Sequence, residues 1–384
     1  MLPSIFSILI ALFSFLLILS YCVFLLISLN TFKKKIDKKD LSTKLEFPFV
    51  SVIIVGRNEA QNIKFCLSSV FKNTYNYENY EIIYIDDNST DDSLEVLKTF
   101  NQSNFKFYEL TDFENSGQNS YKKAGIKLGI QKSKGEILLF TDADTIVTPQ
   151  WIESHVEKFD NNPALQMCTG PVLYTNNTGF IKKFQYYDLI ATAGFTGFGI
   201  IRGLYFIANG ANMSIRRNVF SSDLMKDSIA SGDDVFMIQN LAAKDKKSVS
   251  FLSNKDAVVT TYPENKIRDF LRQRIRWGTK SGYYNDKFLK IILVLLFLLH
   301  LLTSFGLIFI LFLNLKYATF IMFSILCKNF IEVLYIKNLT KFFDKKLNIL
   351  TVWLMLLVYP FYFVIIGLIS IFKKEYIWKG RKVK

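Results

Sequence analysis

Hydrophobic and polar positions divide the chain into three regimes. Residues 4–29, "SIFSILIALFSFLLILSYCVFLLISL", contain no charge. About 20 apolar residues in a helix cross a bilayer core, so this stretch is long enough to span. A cleaved leader would show a basic start, a shorter apolar core and a small-residue cleavage site. None of these is present, and residues 1–31 read as an uncleaved anchor. Three further apolar runs follow at 291–313, 317–336 and 349–372, within a region 291–372. Four full spans would set the basic tail, 373–384, on the side opposite the first basic flank. Two arrangements would avoid that: Pro360 breaks the last run into a re-entrant pair, or one run lies in the interface.

Between about 47 and 265 the pattern becomes that of a globular domain. Val50–Val55 is a β-branched run of buried-strand type. Asn58 follows as a helix N-cap, with Ile63, Leu67 and Val70 at helical spacing. The plan then repeats: a strand at 81–85, an acidic turn and a helix from about 91. A strand at 105–110, a helix over roughly 120–133 and a strand in "EILLFTDADT" complete it. Strands alternating with helices at this spacing predict an α/β domain with a mostly parallel sheet. Such sheets bind ligands beyond the carboxyl ends of their strands. Three strands here end in polar turns: Arg57-Asn58-Glu59, Asp86-Asp87 and Asp142-Ala143-Asp144. A lone strand-end Asp is usually a cap or a solvated turn. Three on one rim imply a shared site.

The second half of the domain reads less clearly. "GPVLYTNN" and "LYFIANGANMSIRRNVF" are strand-and-turn segments. Gly210-Ala211-Asn212 is a small-residue turn that would let a bulky ligand reach the backbone, with Asn212 facing it; a plain hairpin turn is the alternative. "SGDDVFMIQNLAAK" opens a helix on Asp233 and Asp234, where adjacent acids can raise one another's pKa and favour proton acceptance. Residues 266–290 begin as an amphipathic helix: Ile267, Phe270, Leu271 and Ile275 at helical spacing, with Lys266, Arg268, Arg272, Arg274 and Arg276 interspersed. A helix lying on anionic lipid accounts for those cations. It does not account for Gln273 and Trp277 beside Arg276.

Composition supports a membrane protein. Half of the residues are hydrophobic, 37 are Phe, and mean hydropathy is +0.21. The net charge of +14 concentrates in "KKKIDKK" (33–39), "KNLTKFFDKK" (337–346) and the C-terminal tail. These read as positive-inside flanks on membrane lipids; the first sets the globular domain in the cytoplasm, while the other two conflict, since they lie at opposite ends of the last apolar run. No basic face crosses the domain, so no nucleic-acid partner is expected. The four cysteines form no CxxC or Cys/His cluster, which argues against zinc and a disulfide framework. The Lys/Asn/Ile/Phe bias suits an AT-rich bacterial coding sequence, and hence a bacterial inner membrane. No relay of charges occupies the apolar runs, which weakens a transporter reading; Lys328 and Glu332, four apart, would pair near a helix end.

The first βα turn, "GRNEAQ", has one glycine, unlike a dinucleotide-binding fingerprint, and no P-loop appears. A diphosphate would then need another holder. Mg²⁺ or Mn²⁺ between Asp142 and Asp144, bridging to phosphate oxygens, fits that chemistry.

Five stretches, "IDDNSTDDS", "TDADT", "GANMSIRR", "SGDD" and "QRIRW", stand in an order that resembles the membrane-bound family 2 glycosyltransferases of the GT-A fold. The resemblance covers roughly 48–280 and implies a nucleotide-sugar-binding, Rossmann-like α/β domain with transmembrane helices at both ends. It also implies roles. Asp86 and Asp87 contact the nucleoside, and Lys122 lies near the donor phosphates. Asp142 and Asp144 bind the metal–diphosphate, Asp144 more directly. Asp234 is the general base, with Asp233 beside it. Gln273, Arg276 and Trp277 close over diphosphate and acceptor. Where many members have Thr-Glu-Asp, this chain has Gly232-Asp233-Asp234, which leaves the role of Asp233 open.

The expectation is an inverting, metal-dependent transfer from a nucleotide-sugar, a UDP-sugar by preference, to a lipid, lipid-linked or polysaccharide acceptor of the cell envelope. The alternatives are a processive polysaccharide synthase and, in another class, a non-catalytic scaffold subunit.

Overall fold

A computed structural model describes residues 5–36, 47–110, 121–175, 178–225, 232–310, 315–372, 376–378 and 381–383. The chain opens with helix α1 (Ile5–Ile36). Then come β1 (Val50–Gly56), α2 (Ile63–Phe71), β2 (Tyr80–Asp86), α3 (Ser93–Lys98), β3 (Phe105–Glu109), α4 (Tyr121–Lys132) and β4 (Ile137–Asp142), the alternation that the sequence predicts. These four strands pair in parallel in the order β3-β2-β1-β4. Their register sets Gly56 opposite Asp86, Asp86 opposite Glu109, and Val55 opposite Asp142. The three polar strand ends are therefore level and open onto one rim.

Beyond α5 (Trp151–Asp160) the sheet turns mixed. β5 (Met167–Thr169) and β7 (Met213–Arg216) extend it, with β7 antiparallel to both β4 and β5, and β8 (Val249–Phe251) closes the edge. A second small sheet pairs β6 (Val172–Tyr174) with β9 (Val259–Thr261). Residue Ile146, just after the Asp142-Ala143-Asp144 turn, bridges to Thr260 on β9.

β1 is buried on both faces, as a parallel strand covered by helices must be. Its residues alternate between two cores. Val50, Val52 and Ile54 join α2 and α5 through Leu67, Val70, Trp151 and Val156. Ile53 faces the other core, with Phe140 and Ile215, and that core does not end with the domain. It continues through α6 (Phe180–Ile201) to Leu29 and Phe32 of α1, then to Leu339 of α10 (Leu315–Phe342) and Met355 of α11 (Ile349–Phe372). The central sheet and the apolar helices thus share one hydrophobic core.

The sequence reading missed α6. It is buried on nearly every side, so its apolar residues show no one-faced stripe. Gly194 lets α6 approach α10 closely: a methyl group there would press on the side-chain ends of Leu339 and Tyr335, which would have to move.

Among the described residues, four helices are long and apolar enough to cross a membrane: Leu12–Phe32, Lys287–Phe309, Tyr317–Phe342 and Ile349–Phe372. They match the four apolar runs, with two corrections. First, α11 is a single helix through Pro360, so no re-entrant pair forms there. Proline costs the helix one backbone bond, which apolar helices packed against neighbours tolerate. Second, Lys328 and Glu332 pair in the middle of α10, not near its end. Lys328 Nζ lies 2.8 and 2.7 Å from the two carboxylate oxygens, and the Tyr21 hydroxyl donates to Glu332 at 2.9 Å. The side chains of the 33–39 flank and of the tail 373–384 lie outside the described residues.

Candidate active site

The first two strand ends are joined by their own turns. Asn58 and Asn88 both adopt left-handed backbone, at φ 53° and 50°. Asn58 Oδ1 accepts from the Thr90 amide at 2.7 Å, and its own amide donates to Ser89 Oγ at 2.9 Å. This corrects the expected N-cap. The helix starts five residues later, and Asn58 instead ties the β1 turn to the β2 turn. Arg57 Nη1 adds two bonds, to the carbonyls of Asp87 and Asn88, both at 2.8 Å. Asp86 and Asp87 are fully buried. Asp86 accepts from the Ser89 amide at 2.8 Å and the Ser89 hydroxyl at 2.6 Å, so it shapes the turn as well as standing at the rim.

The third strand end explains why a buried strand should finish on two acids. Asp142 is half-buried, and its Oδ1 accepts from Lys122 Nζ of α4 at 2.7 Å. Asp144 is half-buried too. Its carbonyl and carboxylate both lie near Thr261 Oγ1, at 3.2 and 3.4 Å. The clasp between Ile146 and Thr260, two backbone bonds of 2.7 and 2.9 Å, holds this turn against β9. Neither charge is left in an apolar setting, which is what burial of a carboxylate demands.

Helix α7 (Asp233–Lys244) begins after Gly232 in left-handed backbone and carries Asp233 and Asp234 in its first turn. Asp234 Oδ2 accepts from the Gly210 amide at 3.0 Å, and Oδ1 from the Val235 amide at 2.8 Å. A methyl group at Gly210 would sit 3.7 Å from Asp234 Oδ2 and equally far from Lys122 Nζ. The Gly210 turn, Lys122 and Asp234 therefore meet at one point. Burial works against the Lys122 cation, but Asp142, Asp233 and Asp234 hold its pKa above the ordinary lysine value. One ammonium thus links the β4 acids to the α7 acids. Asp233 is buried, and its Oδ2 has no hydrogen-bond partner among the described residues.

Asn212 is a correction. It is completely buried, and both ends of its amide are engaged within the protein. Oδ1 accepts from Trp151 Nε1 at 2.9 Å and lies 3.0 Å from His155 Nε2. Nδ2 donates to the carbonyls of Pro171 and Ala257 at 2.9 and 2.8 Å. This side chain braces the junction of α5, β7 and the small sheet and has nothing left to offer a substrate. Its burial beneath the Gly210 turn is invisible in sequence.

The predicted amphipathic helix is α8 (Ile267–Thr279), which ends eleven residues short of the segment read from the sequence. A short turn at Lys280–Tyr283 separates it from α9 (Lys287–Phe309). Gln273 Oε1 accepts from the Tyr174 hydroxyl at 2.8 Å, and its Nε2 lies 3.4 Å from Glu264 Oε1. Arg276 is half-buried on the same helix. Trp277 packs on Arg274, whose guanidinium carbon lies 4.2 Å from the ring centre. Arg274 departs from the expectation that the arginines face lipid. It points inward and pairs with Asp188 of α6 at 2.9 Å.

Sequence reasoning missed Lys280, one turn beyond Arg276. Burial pushes its amine below the ordinary lysine pKa; Asp234 and Asp233 oppose that, while Arg276 and Lys122 reinforce it. Its only sequence signal was that i+4 spacing from Arg276. Lys122, Asp142, Asp233, Asp234, Arg276 and Lys280 thus share one electrostatic neighbourhood. Asp86 and Asp87 border it at the next strand end, Gln273 and Trp277 flank it on α8, and Asn212 lies outside it.

Residues 51–223 match the family model described as Glycosyl transferase family 2. The chain is 28% identical over 234 residues to the glycosyltransferase AglE of Haloferax volcanii, covering 60% of this chain and 72% of that protein. It is 23% identical over 258 residues to a dolichyl N-acetyl-alpha-D-glucosaminyl phosphate 3-beta-D-2,3-diacetamido-2,3-dideoxy-beta-D-glucuronosyltransferase of Methanococcus voltae, covering 62% and 76% respectively. In fold it resembles a mannosyltransferase from Pyrobaculum calidifontis solved with GDP-Man and Mn²⁺, at a TM-score of 0.52 and 14% identity, over 94% of this chain and 99% of that one. The parallel strands with their acidic rim share the GT-A fold of that mannosyltransferase, and residues 51–223 are similar to the family 2 glycosyltransferases.

Proposed function

We propose that the protein transfers a sugar, with inversion, from a nucleotide-diphosphate sugar, by preference a UDP-sugar, to a lipid or lipid-linked acceptor at the membrane surface. The observation that carries this reading is the Lys122 ammonium between Asp142 and the Asp233–Asp234 pair. It sets a donor-phosphate ligand within reach of a general base.

In this reading the acceptor hydroxyl gives its proton to Asp234 as its oxygen attacks the anomeric carbon. The bond from that carbon to the diphosphate oxygen breaks in the same displacement. Asp234 suits the role because the Gly210 and Val235 amides fix its carboxylate. Lys122, Arg276 and Lys280 meet the charge that develops on the leaving diphosphate. Arginine suits this because its planar fork contacts two phosphate oxygens. Asp86 and Asp87 hold the nucleoside, and Gln273 and Trp277 line the acceptor side.

Among the described residues no group of three or more His, Cys, Asp or Glu side chains could hold a metal. Asp144, with Asp142, is a hard-oxygen donor set that fits Mg²⁺ or Mn²⁺ once diphosphate oxygens complete it. The cation would supply further charge stabilisation to the leaving group.

A lipid acceptor is supported by the core that runs unbroken from the sheet into α1, α10 and α11. It is supported also by the Methanococcus relative, whose name specifies a dolichyl-phosphate-linked acceptor. The first basic flank, 33–39, supports a cytoplasmic domain, and the Lys/Asn/Ile/Phe bias supports a bacterial inner membrane.

The test is nucleotide release from UDP- and GDP-sugars by the detergent-purified protein, with lipid extract and Mn²⁺ or Mg²⁺, beside Asp144→Asn and Asp234→Asn. Release requiring metal, lipid and both aspartates supports the reading. A product ladder instead of a single addition would replace it with a processive synthase. No release from any donor would leave a scaffold.

A further inference from the structure

We propose that the buried Asp188–Arg274 ion pair is the positioning device that orients the Gln273–Trp277 face of α8 toward the diphosphate site and ties it to the membrane helix α11. The catalytic consequence rests on the transferase reading above.

Arg274 sits inside the Gln273-to-Trp277 stretch, yet its side chain turns away from the site and is only 5% exposed. Its Nη2 lies 2.9 Å from Asp188 Oδ2, and Asp188 is equally buried. The same guanidinium stacks on Trp277 at 4.2 Å and on Phe270 at 5.1 Å, and lies 5.9 Å from the Tyr174 ring. Tyr174 in turn donates to Gln273. One buried cation therefore touches Trp277 directly and Gln273 through one intermediary.

The anchor on the other side belongs to the membrane bundle. Tyr359 of α11 donates to Asp188 Oδ1 at 3.0 Å. Tyr362 of α11 stacks on Phe270 with ring centres 5.5 Å apart and planes 14° from parallel. At its start α8 receives no side-chain cap from Lys266. Its rotation about its own axis is thus fixed from within, by Arg274, Phe270 and their partners. Removing either charge would leave the other buried and unpaired in an apolar setting, which makes the pairing costly to break. Arginine is required in this place: a lysine could pair with Asp188 but could not also present a flat face to Trp277.

The consequence is that Arg276, two residues on, is aimed by a contact on the opposite side of the helix. A rotation of α8 would move Arg276 away from Lys122 and Asp234 without disturbing either.

The experiment compares Tyr359→Phe, Arg274→Lys and Asp188→Asn with the parent in detergent and lipid extract. Three quantities are read: donor KM and kcat for nucleotide release, the thermal midpoint, and amide hydrogen exchange along 267–279. Tyr359→Phe removes one hydroxyl and is the variant safest for folding. The expected result is a graded fall in kcat, several-fold for Tyr359→Phe and about ten- to a hundredfold for Arg274→Lys. Donor KM should stay within about threefold, since the ammonium–carboxylate site is untouched. Exchange should rise within 267–279 and stay unchanged in β1–β4. Unchanged kcat and unchanged exchange in all three variants would overturn the proposal. So would exchange rising equally across the sheet and the apolar helices, which would make the pair a fold-wide brace. If the parent releases nucleotide from no donor, the transferase reading fails, and the exchange pattern still decides the positioning.

Discussion

Lys122 of α4 and Asp142 at the end of β4 are 2.7 Å apart, and the same ammonium feels both acids that begin α7. This relationship turns a row of strand-end carboxylates into a site. Without the cation, Asp142, Asp233 and Asp234 would repel one another in a half-buried cleft. With it, the three carboxylates share one cation, and under the proposed function that cation would also meet a donor phosphate. Lys122→Met should therefore lower kcat/KM by roughly a hundredfold, about 2.7 kcal/mol, with much of the loss in donor KM. Steady-state nucleotide release across donor concentrations checks it. A change in kcat alone would remove Lys122 from donor binding.

Asp234→Asn keeps an oxygen that can still accept from Gly210 but loses the basicity. Product formation should fall by about 10²- to 10⁴-fold, the range of a general base, while nucleotide binding stays within about threefold. Product formation and calorimetric titration with UDP and Mn²⁺ measure the two. Parent-like turnover would show that another group takes the proton.

Asn212→Ala tests the corrected assignment. It strands the Trp151 indole N–H, His155 Nε2 and two carbonyls in the core. Each unsatisfied buried group costs about 1–3 kcal/mol, so the thermal midpoint should drop by several degrees or the protein should fail to fold. Donor KM of whatever fraction folds should match the parent. A raised KM with an unchanged midpoint would return Asn212 to the substrate site.

Histidine 155 makes stability depend on pH. Burial lowers its pKa from 6.5 to about 4, partly offset by Asn212. The unfolded chain therefore takes up this proton before the folded one does. Stability from this group is complete above pH 6.5 and is lost as pH falls toward about 4, at about 1.4 kcal/mol per pH unit. Denaturation midpoints in detergent from pH 7 to pH 4 would show the slope. His155→Gln should flatten that part of it; a slope unchanged in the variant would assign the effect elsewhere.

Much of the fold was legible in the chain. β1, β2 and β4 carry near-continuous apolar runs, as strands covered on both faces do, whereas the edge strand β3 exposes Lys106 and Glu109. The four apolar helices announce themselves by length. The acids at 86–87, 142–144 and 233–234 were legible because strand ends and helix starts are local features, and local spacing encodes them. The same holds for Gln273, Arg276 and Trp277, three to four residues apart on one helix.

What sequence alone determined was therefore the list of elements and most of the acids at their ends. Tertiary structure decided which side chains face the site. Asn58 and Asn212 were misassigned because each is engaged by a partner more than thirty residues away, Thr90 for one and Trp151 for the other. Arg274 and Arg276 carry the same charge two residues apart, yet one is buried on Asp188 and the other stands beside the site. The 3.6-residue turn of α8 separates them by nearly half a circle. Which half faces inward depends on α6 and α11. Helix α6 left no readable pattern, because a helix covered on all sides has no polar face to mark it. Nothing in the chain states that the core of the α/β domain runs on into the apolar helices; their packing across α6 does.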